Sequence, residues 1–155
     1  MDKRRDINDI IRSTGLTKKE IQDALADEIL FHFYRIHNDL GYGFLERVYQ
    51  KALCYALTDV GLNCEMEKCI NVYHDGRIVG DYRADMLVED IILLEIKACE
   101  NLIPAHEAQL INYLKATDIE VGYVLNFGKS AVFSRKIYTN DRKNRTDKGF
   151  FVPVK

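Results

Sequence analysis

The chain lacks any apolar run able to cross a membrane: stretches such as Ile91–Leu94 fall far short of the roughly 20 residues that a spanning helix needs. It also lacks an apolar stretch behind Met1-Asp-Lys-Arg-Arg-Asp6, so the N-terminus does not read as a signal peptide, and a cytoplasmic protein is expected. Its four cysteines, Cys54, Cys64, Cys69 and Cys99, show no C-x-x-C spacing and no histidine at zinc-ligand distance. That argues against a zinc site or a disulfide framework and for unpaired, mostly buried thiols. Charge of one sign is missing too, because 22 Lys and Arg against 24 Asp and Glu leave a net −2. A protein that grips long stretches of DNA electrostatically is usually strongly basic. Any contact with nucleic acid is therefore expected to be local, helped by bound cations, or completed by a homodimer or a partner protein. Internal repeats, low-complexity tracts and interdomain linkers are absent as well. A length of 155 residues suits one domain over 1–155, with 1–16 as an N-terminal extension and 140–155 as a C-terminal basic loop and tail.

What is present is an ordinary globular composition, 47% hydrophobic and 30% charged. Thr17-Lys-Lys-Glu20 has the pattern of a capping box, and Ile21, Leu25, Ile29, Phe33 and Ile36 follow at helical spacing. The spacing predicts a helix that stops at Gly41. A second helix is expected from about Gly43 to Leu57, with Phe44, Val48, Leu53 and Ala56 near one side and Gly61 closing it. Residues 64–72 and 77–88 then alternate and are rich in β-branched types, with Asp75-Gly76 between them as a hairpin signal. Glu89-Asp90 turns the chain into 91–98, which reads as a strand buried on both faces. Pro104 opens a helix to about Ala116. Strands over 121–127 and 131–138 follow, and Phe150–Val154 has the character of an edge strand. Strands separated by one crossover helix predict an α/β fold with a mixed central sheet flanked by helices.

Chemistry enters at Ile91-Ile-Leu-Leu-Glu-Ile-Lys-Ala98, an apolar strand carrying two charges two positions apart. Side chains at i and i+2 share a strand face, so Glu95 and Lys97 project together. Burying either charge is unfavourable by several kcal/mol unless it is paired or binds an ion. By themselves the two fit an ordinary ion pair at a strand end. Asp85 alters that reading, because a tight turn through Glu89–Ile91 places it opposite Glu95, where Cβ atoms stand about 4.5–5.5 Å apart. Two carboxylates so close repel and raise one pKa unless a cation lies between them. With a lysine beside them they make two hard oxygen ligands for Mg²⁺ (or Mn²⁺) and one cationic donor, a set suited to activating water and stabilising charge on a phosphoryl group. The backbone carbonyl of Ile96 offers another oxygen. His32, His37 and His74 have no evident partners in the sequence.

Asp85, nine intervening residues and Glu95-Ile96-Lys97 resemble the D…(D/E)xK signature of the PD-(D/E)xK nuclease superfamily, with Ala84 where a proline often precedes the aspartate. Gly43-Phe-Leu-Glu-Arg-Val-Tyr49 is similar to the motif that names the GxxExxY protein family, a branch of that superfamily. The likeness extends through Gly80-Asp-Tyr-Arg-Ala-Asp85, His106-Glu-Ala-Gln109, Tyr113-Leu114 and Asn126-Phe-Gly128, covering residues 30–138. The resemblance implies a restriction-endonuclease-like core and a divalent-metal-dependent nuclease, with DNA favoured over RNA. It implies Asp85, Glu95 and Lys97 as the catalytic set, and Glu46 as a third acidic residue at the metal, directly or through water. Gln109-Leu-Ile-Asn-Tyr113 is similar to the QxxxY element of RecB-type nucleases, which implies that Gln109 orients water or a phosphate oxygen and that Tyr113 touches substrate. His106 shares their helix face, and Arg135 and Lys136 are candidates for phosphate contacts. Two other functions fit the same resemblance: a non-catalytic nucleic-acid-binding or assembly module, and a structure-specific nuclease such as a junction resolvase.

Overall fold

In the computed structural model, residues 6–145 and 151–153 are described. The stretch expected as an N-terminal extension contains a short helix, α1 (Ile7–Ile11), capped by the Asp6 carboxylate on the Asn8 amide at 2.9 Å. Ile7 is buried, and the Asn8 side chain donates to the Val60 carbonyl at 2.8 Å, so this segment is packed onto the protein. Helix α2 (Lys18–Leu40) starts with both bonds of the capping box in place. It buries Leu25, Ile29, Phe33 and Ile36 of the expected stripe, and Gly41 ends it at φ 70°, a conformation that favours glycine. Helix α3 begins at Glu46, later than expected, and runs to Asp59. Its buried face is Tyr49, Leu53, Ala56 and Leu57, whereas Phe44 and Val48 are exposed. The expected stripe was rotated because Tyr49, read as a motif residue, is a core residue.

Five strands form the main sheet in sequence order: β1 (Cys64–His74), β2 (Arg77–Val88), β3 (Ile92–Lys97), β4 (Val121–Phe127) and β5 (Ala131–Ile137). Neighbours are antiparallel except β3 and β4, whose parallel pairing is made by the crossover helix α4 (Pro104–Lys115). The two hairpin turns have positive φ at both central residues, Asp75-Gly76 (49° and 73°) and Glu89-Asp90 (53° and 54°). At Asp75-Gly76 that geometry matches strand twist in a two-residue hairpin, whereas the second turn takes three residues, Glu89 to Ile91, before Val88 pairs with Ile92. One face of the sheet packs Met86, Val88, Leu94, Ile96, Leu125 and Phe127 against α2 and α3. The other packs Leu93, Val124 and Ile70 against Leu110, Tyr113 and Leu114 of α4. No described helix is long and apolar enough to cross a membrane.

Three other expectations change. The strand expected over 150–154 appears as β7 (Phe151–Pro153), which pairs with β6 (Lys143–Arg145) in a separate ladder. Lys143, within the stretch expected as a C-terminal basic loop, is buried, and its ammonium donates to the carbonyls of Thr117 and Ile119, each at 2.9 Å. The cysteines are free, but Cys69 is exposed and Cys54, Cys64 and Cys99 are only half-buried.

Candidate active site

The β2–β3 hairpin sets the geometry. Register runs Val88↔Ile92, Leu87↔Leu93 and Met86↔Leu94, and one step further brings Asp85 opposite Glu95. There backbone pairing gives way to side chains: the Asp85 amide donates to Glu95 Oε1 at 3.1 Å, and the Ile96 amide donates to Asp85 Oδ2 at 2.7 Å. Strand alternation slips at this point. Met86 and Val88 face α2 and α3, yet Ala84 and Leu87 both lie on the α4 side. Opposite the slip, Glu67 of β1 takes φ 56°, rare inside a strand for a residue with a side chain. Such irregularities re-aim side chains beside sites. Glu95 shares the α4-facing side of β3 with Lys97, opposite Val124 and Asn126 of β4.

The electrostatics follow from burial. Glu95 is only 3% exposed. Its pKa is pushed up to about 8, first by desolvation and then by the Asp85 charge, with the Asp85 amide and Lys97 opposing. Burial also raises the Asp85 pKa, against the Ile96 amide and Lys97, while Glu67 and Glu46 add to the rise. Two carboxylates thus sit where negative charge is disfavoured, and Lys97 is the cation that acts on both. Among the described residues, no three His, Cys, Asp or Glu side chains come close enough together to hold a metal ion by themselves.

Helix α3 contributes from its first turn. Glu46 is exposed, and its charge reaches both Asp85 and Glu95. One turn on, Gln50 is 7% exposed, and its amide nitrogen donates to the Asp85 carbonyl at 2.7 Å and to Glu67 Oε1 at 2.9 Å. Gln50 and Glu67 were not picked out from the sequence. The sequence signal for Gln50 is its place one turn after Glu46 and one turn before Leu53 and Cys54; no local pattern marks Glu67. The other residues of this motif have structural explanations. Gly43 has φ 108°, and the Tyr49 hydroxyl donates to the Gly41 carbonyl at 2.8 Å while its ring stacks on Phe127 at 4.5 Å. The loop that delivers Glu46 is pinned by that tyrosine.

Past Lys97 the chain is fixed by β4. Asn126 accepts from the Cys99 amide at 3.0 Å and donates to the Cys99 carbonyl at 2.9 Å. A Cβ at Gly128 would come within 2.4 Å of the Cys99 carbonyl oxygen, so glycine permits this approach. The Gly128 carbonyl lies 2.7 Å from His37 Nε2, and His32 lies 3.0 Å from Glu28, so both histidines have partners that the sequence hid. His74 stands 3.6 Å from Asp75.

Helix α4 carries Gln109 and Tyr113, whose side chains are bonded to each other at 3.0 Å. Tyr113 belongs to the buried side of the helix, and its pKa is raised by burial and then by the Glu95 charge. The Tyr82 ring of β2 lies 5.9 Å from it. His106 accepts from the Ile103 amide at 3.3 Å and so helps to cap α4. Lys136 is ion-paired with Glu107. Arg135 sits opposite Tyr123 on the α2 side of the sheet and acts on Asp23, across the sheet from Glu95 and Lys97. The structure therefore groups Asp85, Glu95, Lys97, Glu46, Gln109 and Tyr113, and leaves Arg135 apart.

A family model described as the PD-(D/E)XK nuclease superfamily matches residues 23–137, most of the chain. The solved structure of SSO0001 superposes with a TM-score of 0.50 at 14% identity, covering 86% of this chain and 74% of that one, a likeness of fold alone. A search of curated proteins finds no match.

Proposed function

The chain belongs to the PD-(D/E)XK nuclease superfamily, with a restriction-endonuclease-like fold, and we propose that it is a divalent-metal-dependent nuclease that hydrolyses phosphodiester bonds, in DNA before RNA. We place it in the GxxExxY branch on Gly43, Glu46 and Tyr49, and read residues 1–155 as one domain. The observation that carries the proposal is the interlocked Asp85–Glu95 pair, a half-buried and a buried carboxylate with raised pKa values beside one lysine. A cation between them removes the penalty of their burial. Mg²⁺ (or Mn²⁺) suits two carboxylates and no all-protein cage, since such sites are completed by water and substrate phosphate oxygens.

Asp85 and Glu95 would hold the metal, with the Ile96 carbonyl and Glu46 completing or supporting its shell. When bound, the metal lowers the pKa of a water and polarises the phosphate. Lys97 places its ammonium against charge that develops on the phosphoryl oxygens. Gln109, held by the Tyr113 hydroxyl, orients water or a phosphate oxygen, and His106 lines the approach. With a net charge of −2, a homodimer or a partner protein is expected to add to the grip on nucleic acid. The test is a panel of labelled single- and double-stranded DNA and RNA, with nicked and junction forms, incubated with Mg²⁺, Mn²⁺ or EDTA. Cleavage that needs the metal is expected; no cleavage of any form would remove the nuclease reading and favour a non-catalytic binding module.

A further inference from the structure

A groove of about 1040 Å³ opens between the β1–β2 hairpin and α4. It opens on the α4-facing side of the sheet, the side that also carries Glu95 and Lys97, and Tyr113 and Gln109 line it. Along the groove lie Tyr82, Gly80 and Val72, with His106 on the helix side. Gly80 has no positive φ that requires glycine. What it provides is space, because a Cβ there would stand 2.6 Å from Tyr82 Cε2. The Tyr82 ring therefore folds back along its own strand over residue 80, and the residue remains 48% exposed. An aromatic platform is built into the sheet, with the Tyr113 ring 5.9 Å away.

The lining also fixes the chemistry of the occupant. Lys115 is the one lysine or arginine among the described residues that line the groove. Single strand and duplex both carry phosphates, so this one cation does not choose between them; the base faces do, and a duplex hides them in its own stack. Unpaired bases expose those faces, and an aromatic ring such as that of Tyr82 can stack on any of them. We propose that the groove takes a single-stranded stretch of nucleic acid, with a base stacked on Tyr82, as the strand leaves the Asp85–Glu95 pair. This inference rests on the nuclease reading for its ligand class.

The test is fluorescence anisotropy in EDTA, so that nothing is cleaved, with a labelled oligodeoxynucleotide, an oligoribonucleotide and a blunt duplex of the same sequence. The wild type is expected to bind a single strand in preference to the duplex. Tyr82→Leu, which keeps apolar contact without a ring, and Gly80→Ala, which displaces the ring, should each weaken that binding roughly tenfold, while Tyr82→Phe retains it. Melting temperatures measured alongside show that each variant is folded. Duplex bound as tightly as single strand, or unchanged binding in folded Tyr82→Leu, would overturn the proposal. A dimer that Tyr82→Leu dissociates, without oligonucleotide binding, would overturn it by giving the groove to a second copy. Single-strand stacking without metal-dependent cleavage would leave this groove in place and remove the nuclease reading; cleavage indifferent to Tyr82 would do the reverse.

Discussion

Lys97 separates an enzyme from a binding module at the scale of one residue. In the proposed nuclease its ammonium acts on charge that grows in the transition state, so Lys97→Ala should lower cleavage roughly 10²–10³-fold, while nucleic-acid affinity falls only slightly. Cleavage at the wild-type rate by a folded Lys97→Ala protein would show that another group stabilises the phosphoryl charge. Glu95 gives a test without substrate. Its folded pKa, about 8, lies above its usual 4.5, so between those values the folded protein keeps a proton that the unfolded chain has released. Stability in EDTA should therefore fall as pH rises from about 5 to 8, by up to a few kcal/mol at about 1.4 kcal/mol per pH unit. Glu95→Gln should flatten that part of the profile, and identical thermal-melting profiles for the two proteins would contradict the raised pKa. These two residues and Asp85 were legible in the sequence because charges inside an apolar strand are anomalous. Gln50, Glu67 and Tyr82 were not, because each gains its meaning from a neighbour across the sheet or on another element. Nothing local says that Gln50 will meet the Asp85 carbonyl, 35 positions away.

At the scale of elements, the turns and the α2 stripe read correctly because they are local: a capping box, Asp-Gly and Glu-Asp turns, a proline at a helix start. The slip at Asp85 was hidden, since it depends on Glu67 opposing it with positive φ. The α3 stripe was misplaced because Tyr49 packs on Phe127 and the core turns toward it. The role of Asn126 belongs to this scale, as a side chain that stitches the end of β3 to β4 through Cys99. Asn126→Ala leaves a half-buried amide and carbonyl unsatisfied, so urea unfolding should show a loss of about 2–3 kcal/mol. Cleavage should fall with it, because Lys97 lies two residues from Cys99. A loss under about 0.5 kcal/mol would mean that water replaces the asparagine.

Across the whole molecule, near-neutral charge is the property that most constrains function. A chain at −2 that holds polyanions as proposed offers little surface for the grip alone, so light scattering at tens of micromolar is expected to show a homodimer; a monomer throughout would leave only a partner protein. Affinity for nucleic acid should also respond weakly to salt, with a slope that reports few phosphate contacts. Metal binding is a whole-molecule property as well, because a cation held only by the folded state raises global stability. The central claim is that Asp85 and Glu95 hold a divalent cation, and thermal unfolding under Mn²⁺ titration tests it most directly. The wild type should gain melting temperature as Mn²⁺ rises, and Asp85→Ala, which removes one ligand and the charge beside Glu95, should gain none. Equal shifts in the two proteins would place the ion elsewhere and contradict the account.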